Sequence, residues 1–256
     1  YGIDAKNGSL KWRVQAEAPV LGAVTIQQGI AYIGSSDHIF RAIDIQNGKV
    51  VWTYNKVKGY VETKPLVTNN QVIFGAWDNT LYSLNQKNWR WTGNLPRMHF
   101  SPAAVWPVAT QNRVFIVDPE RALTAIDITT GATIWRTYQS KVRETIGLSA
   151  DQTRIYAKTM QDSVVCYSAT SEQPKQLWRA NLQFGYEHAT SMMVEQGDVV
   201  LGSTKDGLIF ALQAKTGEIR WKHKIGNSLI NTVVPVGRRQ LLVTAASGEL
   251  CLLQYR

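Results

Sequence analysis

Short apolar runs rich in Val, Ile, Leu and Tyr recur along the whole chain, separated by turn residues. Ile30-Ala31-Tyr32-Ile33-Gly34, Val72-Ile73-Phe74-Gly75 and Val114-Phe115-Ile116-Val117 each read as a buried strand. Arg154-Ile155-Tyr156-Ala157, Val199-Val200-Leu201-Gly202 and Leu241-Leu242-Val243-Thr244 follow the same pattern. Each is followed by a second run, such as Phe40-Arg41-Ala42-Ile43, then a polar turn and a further strand through a Trp. An inner strand is expected ahead of each unit, at Val20-Leu21-Gly22-Ala23-Val24 in one repeat and Thr63-Lys64-Pro65-Leu66-Val67 in the next. Helix-period spacing is hard to find. The pattern predicts an all-β protein with four short strands per unit.

Alignment on Trp12, Trp52, Trp91, Trp135, Trp178 and Trp221 gives a repeat of about 39–44 residues, the period of a propeller blade. Before Trp12, Trp52, Trp135 and Trp221 stands the same phrase: an Ile or Leu followed by Asp or Gln, three intervening residues, and a Gly four residues ahead of the Trp, as in Ile43-Asp44-Ile45-Gln46-Asn47-Gly48. Gly supplies the positive φ that such a tight turn requires. The turn before Trp91 is shortened, and the one before Trp178 is longer and carries Pro174. The chain opens inside a phrase, at Tyr1-Gly2-Ile3-Asp4, and its end supplies three strands after Trp221. Residues 1–256 are therefore read as a single propeller domain and as an N-terminally truncated piece of a larger protein. Seven blades are favoured for the parent, with six as the alternative.

Charge and cysteine content narrow the functional classes. The formal net charge of +9 is scattered, and the longest basic block is Arg238-Arg239, so nucleic acid is not an expected partner. No run of about 18 apolar residues is present, and membrane insertion is not expected. Cys166 and Cys251 lie in apolar runs and read as small core residues rather than metal ligands. The four histidines, His38, His99, His188 and His223, show no metal-ligand spacing, and no nucleophile, zinc or nucleotide motif occurs.

The strand ending in Asp, the Asn-Gly or Thr-Gly turn and the Trp four residues later resemble the pyrroloquinoline-quinone (PQQ)-like repeat, best at Ala42–Trp52 and Ala125–Trp135. The resemblance covers essentially the whole chain. It implies that the six Trp residues at the repeat positions dock into neighbouring blades as structural anchors. It does not imply the cofactor: the vicinal cysteine pair of the quinone dehydrogenases is missing, so PQQ is not expected, nor is any other cofactor or metal. The family includes scaffolds of bacterial outer-membrane assembly, which implies a non-catalytic module of the cell envelope, periplasmic or extracellular. A resemblance to the C-terminal propellers of calcineurin-like metallophosphoesterases leaves a regulatory or substrate-recognition role open, and the cytoplasm with it. An autonomous enzyme is the remaining alternative.

Polar and aromatic residues unlike the rest of the repeat precede several inner strands. They are Tyr60 and Glu62, His99, Arg143 and Glu144, Tyr186, Glu187 and His188, and Asn231. Rotation-related blades would gather them at one channel mouth, where they could clamp a protein partner or a small polar ligand. Replacing Arg143 or Glu187 with Ala is then expected to weaken capture while leaving the melting temperature nearly constant. Trp77-Asp78, in a turn between second and third strands, is the candidate exposed rim contact. No catalytic residue is assigned.

Overall fold

The structure, a computed structural model, describes residues 1–68, 71–85, 106–118, 120–189 and 191–255. Among them every regular element is a strand, and strands adjacent in sequence pair antiparallel within small sheets. The chain falls into two compact units, Tyr1–Pro107 with Ile128–Ala132, and Val108–Asp127 with Thr133–Arg256.

In the first unit, β1 (Gly2–Ile3) and β2 (Leu10–Trp12) form a two-stranded sheet. A four-stranded sheet follows: β3 (Thr25–Gln27), β4 (Ile30–Gly34), β5 (Phe40–Asp44) and β6 (Val50–Tyr54). β7 (Leu66–Val67), β8 (Gln71–Ala76) and β9 (Thr80–Asn85) form a sheet of three, and the strand expected around Trp91 lies outside the described residues.

The second unit holds three four-stranded sheets. They are β10 (Val108–Ala109) to β13 (Thr133–Thr137) through β11 (Arg113–Val117) and β12 (Leu123–Asp127); β14 (Gly147–Leu148) to β17 (Gln176–Tyr186) through β15 (Arg154–Lys158) and β16 (Gln161–Ser168); and β18 (Val194–Gln196) to β21 (Ile219–Lys224) through β19 (Val199–Ser203) and β20 (Leu208–Gln213). β22 (Ile230–Gly237), β23 (Gln240–Ala245) and β24 (Leu250–Gln254) complete the unit as a sheet of three.

The inner strands of the first unit do not match the apolar runs. Val20–Val24 is not a strand; its sheet begins at Thr25, and in the next repeat pairing begins at Leu66, after Pro65. Proline has no N–H to give to a ladder. Thr25 Oγ1 donates instead to the Pro65 carbonyl at 2.5 Å, joining the two inner segments through a side chain.

Sheets pack face to face because the middle strands are apolar on both faces. The period of two sends Ile155 and Ala157 into one core with Phe115, Val117, Leu123 and Trp135. Tyr156, between them, points the other way, into a core with Trp178, Val200, Phe210 and Leu212. A third core joins Leu201, Ile209 and Ala211 to Val233, Leu241 and Val243. Each fully buried large side chain contributes about 1.5–3 kcal/mol. Cys166 sits in the second core with its thiol pKa raised by burial, whereas Cys251 is only half-buried.

Antiparallel order sorts the connections of each sheet to two ends. The turns joining first to second and third to fourth strands lie at one end, here the hairpin end. The turns joining second to third strands, with the links to the next sheet, lie at the other, here the link end. At the link end of the second unit, main-chain bonds tie links to turns: Arg143 N–H donates to Lys158 O (2.8 Å), Glu187 N–H to Met160 O (2.9 Å) and Ala246 N–H to Leu229 O (2.8 Å).

Candidate functional site

The hairpin end carries the tryptophan clasps. Trp12 Nε1–H donates to Ile45 O at 2.8 Å, Trp178 to Ala214 O at 3.0 Å and Trp135 to Ser171 O at 3.0 Å, each acceptor lying in the turn of the following repeat. For Trp12 and Trp178 the ring then covers the turn glycine, whereas the turn holding Ser171 has none. A Cβ on Gly48 would stand 2.7 Å from the Trp12 ring and one on Gly217 2.6 Å from that of Trp178, at φ of +73° and +77°. The recurring Gly–Trp pair is thus one device: the glycine makes the turn and clears the floor on which the preceding indole lies. Trp52 packs beside Phe40 and Tyr54 against the core containing Val72 and Phe74. Trp221 packs beside Tyr255, and Trp91 lies outside the described residues.

The link end of the second unit carries charge. Lys158 is fully buried at the end of β15, where its Nζ donates to Ser203 O (2.7 Å), Ala189 O (3.2 Å) and Ser191 Oγ (3.1 Å). The carboxylate of Glu187, equally buried, lies 3.9 Å from Nζ and accepts the N–H groups of Ala189 (2.5 Å) and Lys205 (3.3 Å). Burial pulls the Lys158 ammonium down to about 8; Glu187 opposes the fall and Arg143 adds to it. Arg143, also buried, donates to His188 O at 3.2 Å and pairs with Glu144 at 3.0 Å, and Glu144 pairs in turn with Arg121. Tyr186 and His188 stand exposed over this base, their rings 6.4 Å apart.

Of the residues singled out in the sequence, Arg143, Glu144, Tyr186, Glu187 and His188 therefore come together. Asn231 is exposed at the start of β22, at the same end. Burial changes the role expected of Arg143 and Glu187. Both side chains support the face from beneath instead of presenting charge to a partner, so replacing either with Ala lowers stability as well, and the expectation of a constant melting temperature is withdrawn.

Sequence reasoning missed Lys158, Arg121, Ser191 and Ser203. The signal for Lys158 was present: it ends an apolar run at the position where β4, β11 and β19 carry Gly34, Val117 and Ser203.

In the first unit the candidates also meet. Trp77 N–H donates to Tyr60 O (3.0 Å), and Asp78 accepts the Lys58 N–H (3.0 Å) and the Tyr82 hydroxyl (2.6 Å). Asp78 is thus a turn-holding residue, while Trp77 is 53% exposed as expected, Tyr60 is 50% exposed and Glu62 is half-buried. His99 lies outside the described residues. Among the described residues no group of three or more His, Cys, Asp or Glu side chains is placed to hold a metal ion.

Four-stranded antiparallel sheets at a fixed period, faced with apolar side chains and clasped by indoles over turn glycines, are blades of a β-propeller of the PQQ-like repeat class. A family profile described as outer membrane protein assembly factor BamB matches residues 1–59, 54–222 and 161–255, and the chain belongs to that family. It is 22% identical to the outer membrane protein assembly factor BamB of Yersinia pestis over 98% of its own length, and spans 65% of that protein. The crystal structure of BamB from Moraxella catarrhalis superposes with a TM-score of 0.67 at 17% identity, covering 97% of this chain and 81% of that one. A tetrathionate hydrolase of Acidithiobacillus ferrooxidans is 22% identical over 79% of this chain and 48% of its own.

Proposed function

We propose that this chain is a non-catalytic scaffold of the bacterial cell envelope that binds a protein partner in outer-membrane assembly through the link end of its blades. The carrying observation is the pairing of exposed Tyr186 and His188 with a fully buried, hydrogen-bonded base of Lys158 and Glu187. A rigid aromatic side chain held on a fixed base loses little entropy on binding. The family supports the partner class, since the matched profile is that of an outer-membrane assembly factor. The lack of a vicinal cysteine pair favours binding over quinone chemistry.

A photo-crosslinking residue placed at Tyr186 tests the proposal in a bacterial envelope fraction. The expected product is an adduct with an outer-membrane assembly protein, absent when the label is moved to Thr170 in the hairpin-end turn after β16. The Tyr186→Ala/His188→Ala double variant is expected to weaken capture at least about tenfold with an unchanged melting temperature. Equal adduct yields from both positions, or undiminished capture by the double variant, would remove this face from the function.

A further inference from the structure

At the link end the same position of each third strand carries a positive φ. It stands six residues before the strand's last residue: His38 (+65°) before β5, Asn79 (+61°) before β9, Arg121 (+72°) before β12, Asp162 (+64°) in β16, Gly207 (+79°) before β20 and Gly248 (+90°) before β24. Gly, Asn and Asp visit this left-handed region most readily. At Gly207 glycine is required, since a Cβ would stand 2.3 Å from Gly226 O. Asp162 holds the irregular part of β17, its Oδ1 accepting Gly185 N–H at 2.7 Å. Arg121 has neither reason, and its conformation disfavours a Cβ.

The main chain does not call for an arginine here. Arg121 O accepts Val142 N–H just as Gly207 O accepts Ile225 N–H, both at 3.0 Å. The tie to the following link is therefore the same with arginine as with glycine. What sets Arg121 apart is its guanidinium, and backbone strain is kept where a side chain serves function. That guanidinium pairs with one oxygen of Glu144, while the other oxygen of Glu144 lies 3.0 Å from Arg143. Arg143 in turn donates to His188 O at 3.2 Å and to Met160 Sδ at 3.6 Å. Arg143 is buried, and its Nε has no acceptor among the described residues. The aim of its fork thus depends on the carboxylate it shares with Arg121.

We infer that Arg121 is a positioning residue of the link-end face. Through Glu144 and Arg143 it fixes the His188 carbonyl, and with it the exposed pair Tyr186 and His188. Arg121 touches no partner itself; it holds still the segment that does. The inference rests on the reading of that face as the partner-binding surface.

The test compares two variants of the full chain. Arg121→Asn introduces the residue type that Asn79 supplies at the same position of the first unit, and Arg121→Lys keeps the cation. With the photo-crosslinking residue at Tyr186, Arg121→Asn is expected to lower the adduct yield from a bacterial envelope fraction at least about threefold, and Arg121→Lys to retain most of it. The melting temperature of Arg121→Asn should not fall, because Asn tolerates the turn and a partly exposed ion pair adds little stability. Hydrogen exchange reads the same coupling without a partner. Across residues 185–189, where the Glu187 and Ala189 N–H groups are hydrogen-bonded, exchange should quicken at least about threefold in Arg121→Asn. In His38→Asn, the same change in the first unit, it should keep the native rate. If the native chain gives no more adduct from Tyr186 than from Thr170, the face is not a binding surface and the inference falls with it. If the native adduct forms and Arg121→Asn yields as much, or if exchange at 185–189 is unmoved, the face stands and this inference alone is overturned.

Discussion

The two ends of the sheets in the second unit solve the problem of joining neighbours in opposite ways. At the hairpin end Trp178 lies on Gly217 and donates to Ala214, an apolar clasp of the kind Trp12 makes with Gly48 and Ile45. At the link end Lys158 and Glu187 are buried among main-chain carbonyls and N–H groups. The first device serves any neighbour with a glycine turn, so it can recur. The second needs donors and acceptors from three segments at once and, among the described residues, is built around one buried lysine, Lys158. Repetition goes with generic packing, whereas the buried charge goes with the place where an exposed aromatic face is supported.

Substitution at each end sharpens the contrast. Lys158→Ala is expected to cost about 3–5 kcal/mol, because it leaves the Glu187 carboxylate buried without its counter-charge. The double variant Lys158→Met/Glu187→Leu should recover most of that loss in urea unfolding. Trp178→Ala is expected to cost a similar 3–5 kcal/mol through the cavity it leaves, but no second substitution at Gly217 should recover it. If both ends responded alike to paired changes, the distinction would fail.

A pH series separates the ends further. Lys158 titrates near 8 in the folded protein, below its ordinary value, because burial disfavours the ammonium. Between pH 8 and about 10.4 the unfolded chain holds more protons at this position, so its contribution to stability rises with pH. The native chain should therefore gain melting temperature relative to Lys158→Met over that window, and a parallel pair of curves would contradict the assignment. Trp178→Ala has no titrating group at the clasp and should show no such window. The smallest effect is expected at the tip of the β22–β23 hairpin, where Arg239→Gly relieves a φ of +59° and should raise stability by at most about 1 kcal/mol.

Much of this was legible without coordinates. The two-residue alternation, the Asp-to-Gly turn phrase and the spaced tryptophans are local signals, and they located the middle and outer strands closely: the run at Arg154–Ala157 became β15, and the three strands after Trp221 became β22 to β24. The inner strands of the first unit were overextended, because an apolar run such as Val20–Val24 does not reveal that the ladder starts later. Among the candidate side chains, sequence position put Arg143, Glu144, Glu187 and His188 at one end but not their exposure. A charged residue in a polar stretch looks solvated until the segments around it are known.

The sequence by itself determined the repeat, the strand order within each sheet and the Gly–Trp turns, since these follow from neighbours along the chain and from the conformations that individual residues allow. Tertiary structure alone decided that Lys158 and Glu187 are buried together and that Tyr186 and His188 remain on the surface. Those outcomes depend on which carbonyls, N–H groups and rings arrive from segments dozens of residues away, and no local preference encodes that arrival.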